Sequence, residues 1–162
     1  MNLLPSKQRP LQILLFFALV LVSVLARAET IDEVLAMKKA PLGVVFEIVS
    51  NNPNELAKVL PTVQKDIQRL HRRFPGLDIA VVSHGMEQFA LTKENQSRYA
   101  TTNHEVQSLA KDPNTTFHVC GAFAEMHNVS PEDFPDYVDV AAHGPQQIKT
   151  YMEFGYLRIK ID

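Results

Sequence analysis

Three stretches of the chain are apolar almost without interruption, and a helical pattern of apolar positions follows the first of them. Residues 43–50 (Gly43, Val44, Val45, Phe46, Glu47, Ile48, Val49, Ser50) are rich in β-branched and aromatic side chains, which predicts a strand buried on both faces. Asn52, Pro53, Asn54 and Glu55 then supply a cap, a proline at the first helical position and a glutamate three residues after the cap. Leu56, Val59, Leu60, Val63, Ile67, Leu70 and Phe74 recur at helical spacing, so one stripe of this helix faces a sheet. Pro61 predicts a kink in it, and Pro75-Gly76 a stop. A second strand is expected at 77–85, ending on His84-Gly85.

The rest of the chain repeats this alternation less plainly. Residues 86–91 suit a short helix, 92–98 a surface loop and 103–110 a helix with Val106, Leu109 and Ala110 on one side. Asp112-Pro113-Asn114 turns into a third strand at 115–119. Beyond Cys120, residues 122–127 suit a helix, Ser130-Pro131-Glu132-Asp133 a capped turn and 137–141 a short fourth strand closed by His143-Gly144-Pro145. A last helix over 145–154 leads to a fifth strand, 156–161, whose alternation of apolar and basic residues places it at an edge with one face wet. Ahead of all this, residues 29–40 form a short lead with an apolar edge of Ile31, Val34, Leu35 and Met37. Buried-type strands alternating with helices predict an α/β fold, an open parallel sheet with helices on both faces.

The N-terminus changes the picture of where this domain works. Lys7 and Arg9 precede an apolar run of 15 residues, 11–25, closed by Ala26-Arg27-Ala28. That pattern reads as a secretory signal peptide over residues 1–28, cleaved after Ala28, and the run is shorter than the roughly 18 residues a membrane span needs. The mature chain is then a single domain, residues 29–162, periplasmic or secreted and not held by a membrane. Its charge is more negative than the −2 of the whole chain, because Lys7, Arg9 and Arg27 leave with the signal: 13 basic residues face 18 acidic ones, a net −5. Such a balance gives no footprint for nucleic acid. The basic group Arg69, His71, Arg72 and Arg73 falls where cations complement a helix C-terminus.

Candidate chemistry gathers at the strand ends. In an open parallel sheet, ligands bind outside the carboxyl ends of the strands. Those ends carry His84, His118 with Cys120, and His143. Cys120 is the only cysteine, so no internal disulfide forms and an exported chain keeps one thiol. A thiolate at a strand-to-helix junction, helped by an imidazole, is a nucleophile; a small buried hydrophobe is the plainer role for the same residue. His118 and Cys120, two apart on a strand, share a face, and with His84 or His143 they form an alternative Zn or Cu ligand set. No glycine-rich phosphate loop and no serine elbow is present, and no organic cofactor is called for.

The chain resembles the DsrE/DsrF-like family of sulfur-trafficking proteins, in an exported branch. The resemblance covers most of the mature chain and rests on residues 43–49, on Ile79 to Gly85, on Phe117-His118-Val119-Cys120-Gly121, on Val129 to Phe134, on Tyr137 to Val140, and on Gly144 to Ile148 with Tyr151 and Gly155-Tyr156. It implies a three-layer α/β/α fold with a five-stranded, mostly parallel sheet. It also implies trimers or hexamers, with Cys120 carrying a persulfide and passing sulfur between a donor and an acceptor protein. His118, His84 and His143 are then the groups expected to orient or protonate it.

Overall fold

The structure, a computed structural model, describes residues 29–161. The predicted signal segment 1–28 lies outside them. A capping box between Thr30 and Glu33 opens α1 (Ile31–Leu35), and the regular elements then run β1 (Gly43–Ile48), α2 (Glu55–Arg73), β2 (Asp78–Ser83), α3 (Ala100–Leu109), β3 (Thr115–Cys120), α4 (Gly121–Met126), β4 (Asp139–Ala141), α5 (Gly144–Glu153) and β5 (Tyr156–Ile161). Short 3-10 turns fill in at Met86–Leu91, Lys93–Asn95 and Pro131–Asp133. All five strands are parallel, in the order β4-β3-β2-β1-β5, as an α/β architecture requires.

That order decides which helices cover which face. The first three connections step one strand at a time toward β4, and right-handed crossovers in one direction keep their helices on one side. The last connection runs back from one edge to the other, so α5 lies alone on the opposite face, against β1, β2, β3 and β5. Alternation along each strand then sends its residues into two unequal cores. Val44, Phe46, Ile48, Ile79, Val81, Phe117 and Val119 meet Leu56, Leu60, Val63, Ile67 and Leu70 of α2 in the larger one. Val45, Ala80 and Val82 meet Ile148 of α5 in the smaller, with Tyr151, Met152 and Tyr156 around it. Each fully buried Leu, Val or Phe contributes on the order of 1.5–3 kcal/mol, so most of the stability resides on the α2 side.

Several element boundaries move from where the pattern put them. The helix expected from Pro53 begins at Glu55, with Asn54 in the cap position and no side-chain cap bond. Asn52 still organises the entry, because its Oδ1 accepts the Asn54 N–H at 3.0 Å and its Nδ2 donates to Glu55 Oε2 at 3.2 Å. The helix is continuous through Pro61 for 19 residues. Helix α3 starts three residues early, since buried Asn103 donates to the carbonyls of Ala90 and Tyr99 at 2.9 and 3.0 Å and anchors its first turn. The fourth strand is only three residues long. Helix α4 closes with Asn128 in the left-handed region at φ 59, where Val129 N–H reaches Ala124 O and Asn128 N–H reaches Glu125 O, a Schellman end. The basic end of α2 is used internally: Arg69 pairs with Asp32 and Asp66, and Arg73 donates to Met37 O.

Candidate functional site

The helices that follow β3 and β4 depart to opposite sides. Ala124 of α4 joins the larger core, while Ile148 of α5 joins the smaller. Adjacent strands whose outgoing helices diverge leave a crevice at their carboxyl ends, the usual binding position in such sheets. An open cleft of about 850 Å³ lies there, lined by Gly121 and Ala122 after β3, by Val140, Ala142 and His143 at the end of β4, and by the 128–131 turn. Ala122 N–H donates to Ala142 O at 2.9 Å and ties the two loops together.

Cys120 ends β3 beside this cleft and is also the residue before α4. It is 4 % exposed. Among the described residues its Sγ makes no hydrogen bond, but its backbone is held from both sides by the fully buried Gln88, whose Oε1 accepts the Cys120 N–H at 2.7 Å and whose Nε2 donates to its carbonyl at 3.3 Å. The neighbouring Glu87, equally buried, accepts from Ser50 N–H at 2.8 Å, Ser83 Oγ at 2.7 Å and Gly85 N–H at 3.0 Å, so one carboxylate pins the loops after β1 and β2. A Cβ on Gly85 would sit 2.4 Å from Ser50 O, which is why that turn needs glycine.

His84 and Cys120 come together over α5. A Cβ built on Gly144, the first residue of that helix, would lie 2.6 Å from His84 Cβ and 3.2 Å from Cys120 Cβ. Only the absence of a side chain there lets the helix close over both. The His84 ring lies 3.0 Å by Nε2 from Glu47 Oε1, with the two side chains 12 % and 13 % exposed. Arg158 Nη1 stands 3.5 Å from the other Glu47 oxygen. The His84 bond holds the Glu47 carboxyl below its ordinary 4.5, against the opposing effect of burial and with help from Arg158 and Lys160.

The other two histidines are placed apart from the thiol's contacts. His118 shares the α5 side with Cys120, as strand alternation requires, but its Nε2 lies 2.8 Å from Tyr151 Oη and its Nδ1 3.9 Å from Asp139 Oδ2. Burial lowers its pKa from the ordinary 6.5, and Asp139 offsets this in part. His143 is exposed at the cap position of α5 and lines the cleft; among the described residues its ring has no hydrogen-bond partner. The four proposed metal ligands therefore do not assemble: among the described residues no group of three or more His, Cys, Asp or Glu side chains is placed to hold a metal ion.

The structure brings in residues that the sequence pattern does not single out. Glu47 had a visible signal, being the one charged residue in an otherwise buried strand. Glu87 and Gln88 had none, because a short polar-apolar stretch after a strand looks like any surface turn. Tyr151 is on the α5 stripe, where an aromatic reads as core.

No family model matches the chain, and no curated protein matches it. Among solved structures, the chain is similar to a protein of unknown function, MTH1491 from Methanobacterium thermoautotrophicum, with a TM-score of 0.57 and 19% sequence identity over 73% of this chain and 97% of that one. At that identity the likeness is one of fold.

Proposed function

We propose that the chain is an exported DsrE-like carrier of sulfane sulfur, holding it as a persulfide on Cys120 and passing it to a partner protein. The observation that carries this reading is the chain's one thiol at the end of an interior strand, one residue before the Gly121 that lines the crevice where β3 and β4 part, and next to His84 over Gly144. The chemistry needs no cofactor. Cys120 as thiolate attacks the outer sulfur of a donor persulfide R–S–SH, a new S–S bond forms as the old one breaks, and the electron pair leaves with R–S⁻, which takes up the proton that the thiol gave up. An acceptor thiolate repeats the step on Cys120–S–SH, so nothing is oxidised or reduced overall. The low exposure of Cys120 suits a labile persulfide that must be kept from water and from adventitious reductants.

Donor and acceptor proteins are the partners on this reading, together with further copies of the chain in a trimer or hexamer. Intact mass of the purified protein before and after polysulfide, and again after reductant, tests it. A reversible gain of one sulfur atom per chain, absent in Cys120→Ser, is expected. A Cys120→Ser protein that still takes up one labile sulfur overturns it. The burial of Cys120 also favours a second reading, a non-catalytic oligomeric binding protein that uses the cleft alone. Failure of the native thiol to alkylate without denaturant would select that reading.

A further inference from the structure

We infer that the groove at the β3–β4 crevice is the docking surface for a basic segment of the partner protein, one that carries lysine or arginine beside an apolar side chain. This inference rests on the sulfur-carrier reading and names the chemistry of its partner. It starts from where the charge lies. Residues 112–148 contain six acidic side chains, Asp112, Glu125, Glu132, Asp133, Asp136 and Asp139, and no lysine or arginine. Outside that stretch, residues 29–162 hold 12 acidic and 13 basic residues, a net +1, so the whole negative excess of −5 comes from this one part of the chain. The same part builds β3, α4, the 128–131 turn and β4, and so all the walls of the cleft.

The cleft continues past the turn. A second hollow of about 420 Å³ adjoins it and shares Asn128 and Val129 with it. Phe89 and His127 line this second hollow, their rings 5.2 Å apart and edge to face, and Phe123 stacks on Phe89 at 5.9 Å. Glu125 lines the first hollow and Glu94 and Asp133 the second; all three are exposed, and among the described residues no lysine or arginine lines either. Asp133 Oδ2 accepts from Ser130 N–H at 2.7 Å and from Ser130 Oγ at 3.0 Å, which fixes one carboxylate against the turn. Lys93 stands at this rim, its Nζ donating to Glu132 O at 2.7 Å, and offsets one of the negative charges. Met126, 78 % exposed, falls in sequence between Glu125 of the first hollow and His127 of the second. Methionine and aromatic side chains are enriched in protein interfaces, and charge of opposite sign steers and orients the encounter. Carboxylates along a groove with an apolar edge therefore fit a cationic, partly apolar protein segment, and the same sign disfavours nucleic acid or an anionic lipid surface as occupant.

The test follows the backbone amide signals of the isotope-labelled full-length mature chain during titration with three probes: a short peptide of lysine, leucine and glycine, its counterpart with glutamate for lysine, and spermine. The lysine peptide is expected to move the amides of Ala122, Asn128, Val129 and Val140, and the glutamate peptide to move none of them. Its binding should weaken at least about tenfold between about 0.01 M and 1 M salt, as the screening length falls from about 30 Å to 3 Å. Glu94→Gln combined with Glu125→Gln, both at exposed positions, should weaken it about tenfold, and Met126→Ser about threefold. Spermine carries charge without an apolar side chain, so it should bind more weakly and be indifferent to Met126→Ser. No movement of these amides at millimolar lysine peptide, equal binding of the two peptides, or an unchanged affinity in the Glu94→Gln, Glu125→Gln protein overturns the inference. Spermine binding as tightly as the lysine peptide overturns it too, since the groove would then take free polyamines. The sulfur-carrier reading fails separately: a wild-type chain that binds the lysine peptide in the groove but gains no sulfur from polysulfide keeps the docking surface and loses the cargo, and sulfur gain without peptide binding does the reverse.

Discussion

The two faces of the sheet are built from the same strands and differ in nearly everything else. Toward α2 the inward positions are Val44, Phe46, Ile48, Ile79, Val81, Phe117 and Val119, an apolar floor with buried polar residues, Ser83 and Thr115, only at strand ends. Toward α5 the intervening positions are apolar only in the middle, at Val45, Ala80 and Val82, and become Glu47, His118 and Cys120 toward the carboxyl ends. A single reversed crossover accounts for the difference. One helix covers this face, and His118 and Cys120 are buried there, with Tyr151 of α5 as the partner of His118. The larger apolar cluster thus lies on one side and Glu47, His118 and Cys120 on the other, one residue apart along each strand.

The widest gap between the faces should appear when each is cut at its centre. Phe46→Ala, fully buried in the larger core, is expected to lose about 3–5 kcal/mol in urea unfolding, whereas its neighbour on the other face, Val45→Ala, should lose less because fewer methyl groups and a smaller cluster are involved. Equal losses would mean that the α5 side is as much a part of the core as the α2 side. Gly144→Ala sharpens the comparison from the helix. Its new methyl would stand 2.6 Å from His84 Cβ, so α5 or His84 must shift, at a cost of about 1–3 kcal/mol. Cys120 alkylation should change in the same protein, since the methyl also meets Cys120 Cβ. A Gly144→Ala protein with wild-type stability and wild-type thiol reactivity would show that the closure of α5 is looser than the contact implies.

How much of this contrast was legible beforehand follows from the range of the interactions. The strands could be read because Val, Ile and Phe dominate residues 43–48 and 78–83, and α2 because its apolar stripe persists for five turns despite Pro61. His84 and Cys120 could be placed at strand ends by the same pattern. Strand order could not, because the reversal that isolates α5 depends on which edge β5 joins, and its pattern of Leu157, Ile159 and Ile161 suits either. The clamp on Cys120 was hidden for a similar reason: Gln88 is 32 residues away in sequence, and an amide with two complementary backbone partners has no local signature. His143 shows the opposite case. It sits at a strand end as its neighbours do, yet the start of α5 turns it out to solvent.

Gln88→Leu tests that clamp with an intermediate effect. The substitution keeps the volume but leaves the buried Cys120 N–H without an acceptor, which costs about 1–3 kcal/mol. The expected signature is faster hydrogen exchange at the Cys120 amide beyond what the global loss explains. Exchange that tracks global unfolding alone would show the clamp to be only one more core contact.

The smallest effect is a pH dependence that belongs to the α5 face, and its sign can be worked out. Burial lowers the His118 pKa below the ordinary 6.5, so the unfolded chain binds this proton more readily than the folded one. The stability this residue contributes is complete above about 6.5 and is lost as pH falls from there through the folded value. Glu47 is also lowered, from 4.5, chiefly by its bond to His84, so its contribution is complete above that value and disappears in a separate, more acid window. Asp133, held down by Ser130, shares the lower window, which will not vanish when Glu47 is removed. Urea midpoints measured from pH 8 to pH 2 should therefore fall in two steps. His118→Gln, which can still hydrogen-bond Tyr151, should flatten the upper step and leave the lower one, while Glu47→Gln should shrink only the lower. An upper step that survives His118→Gln would show that the burial of His118 is not its cause.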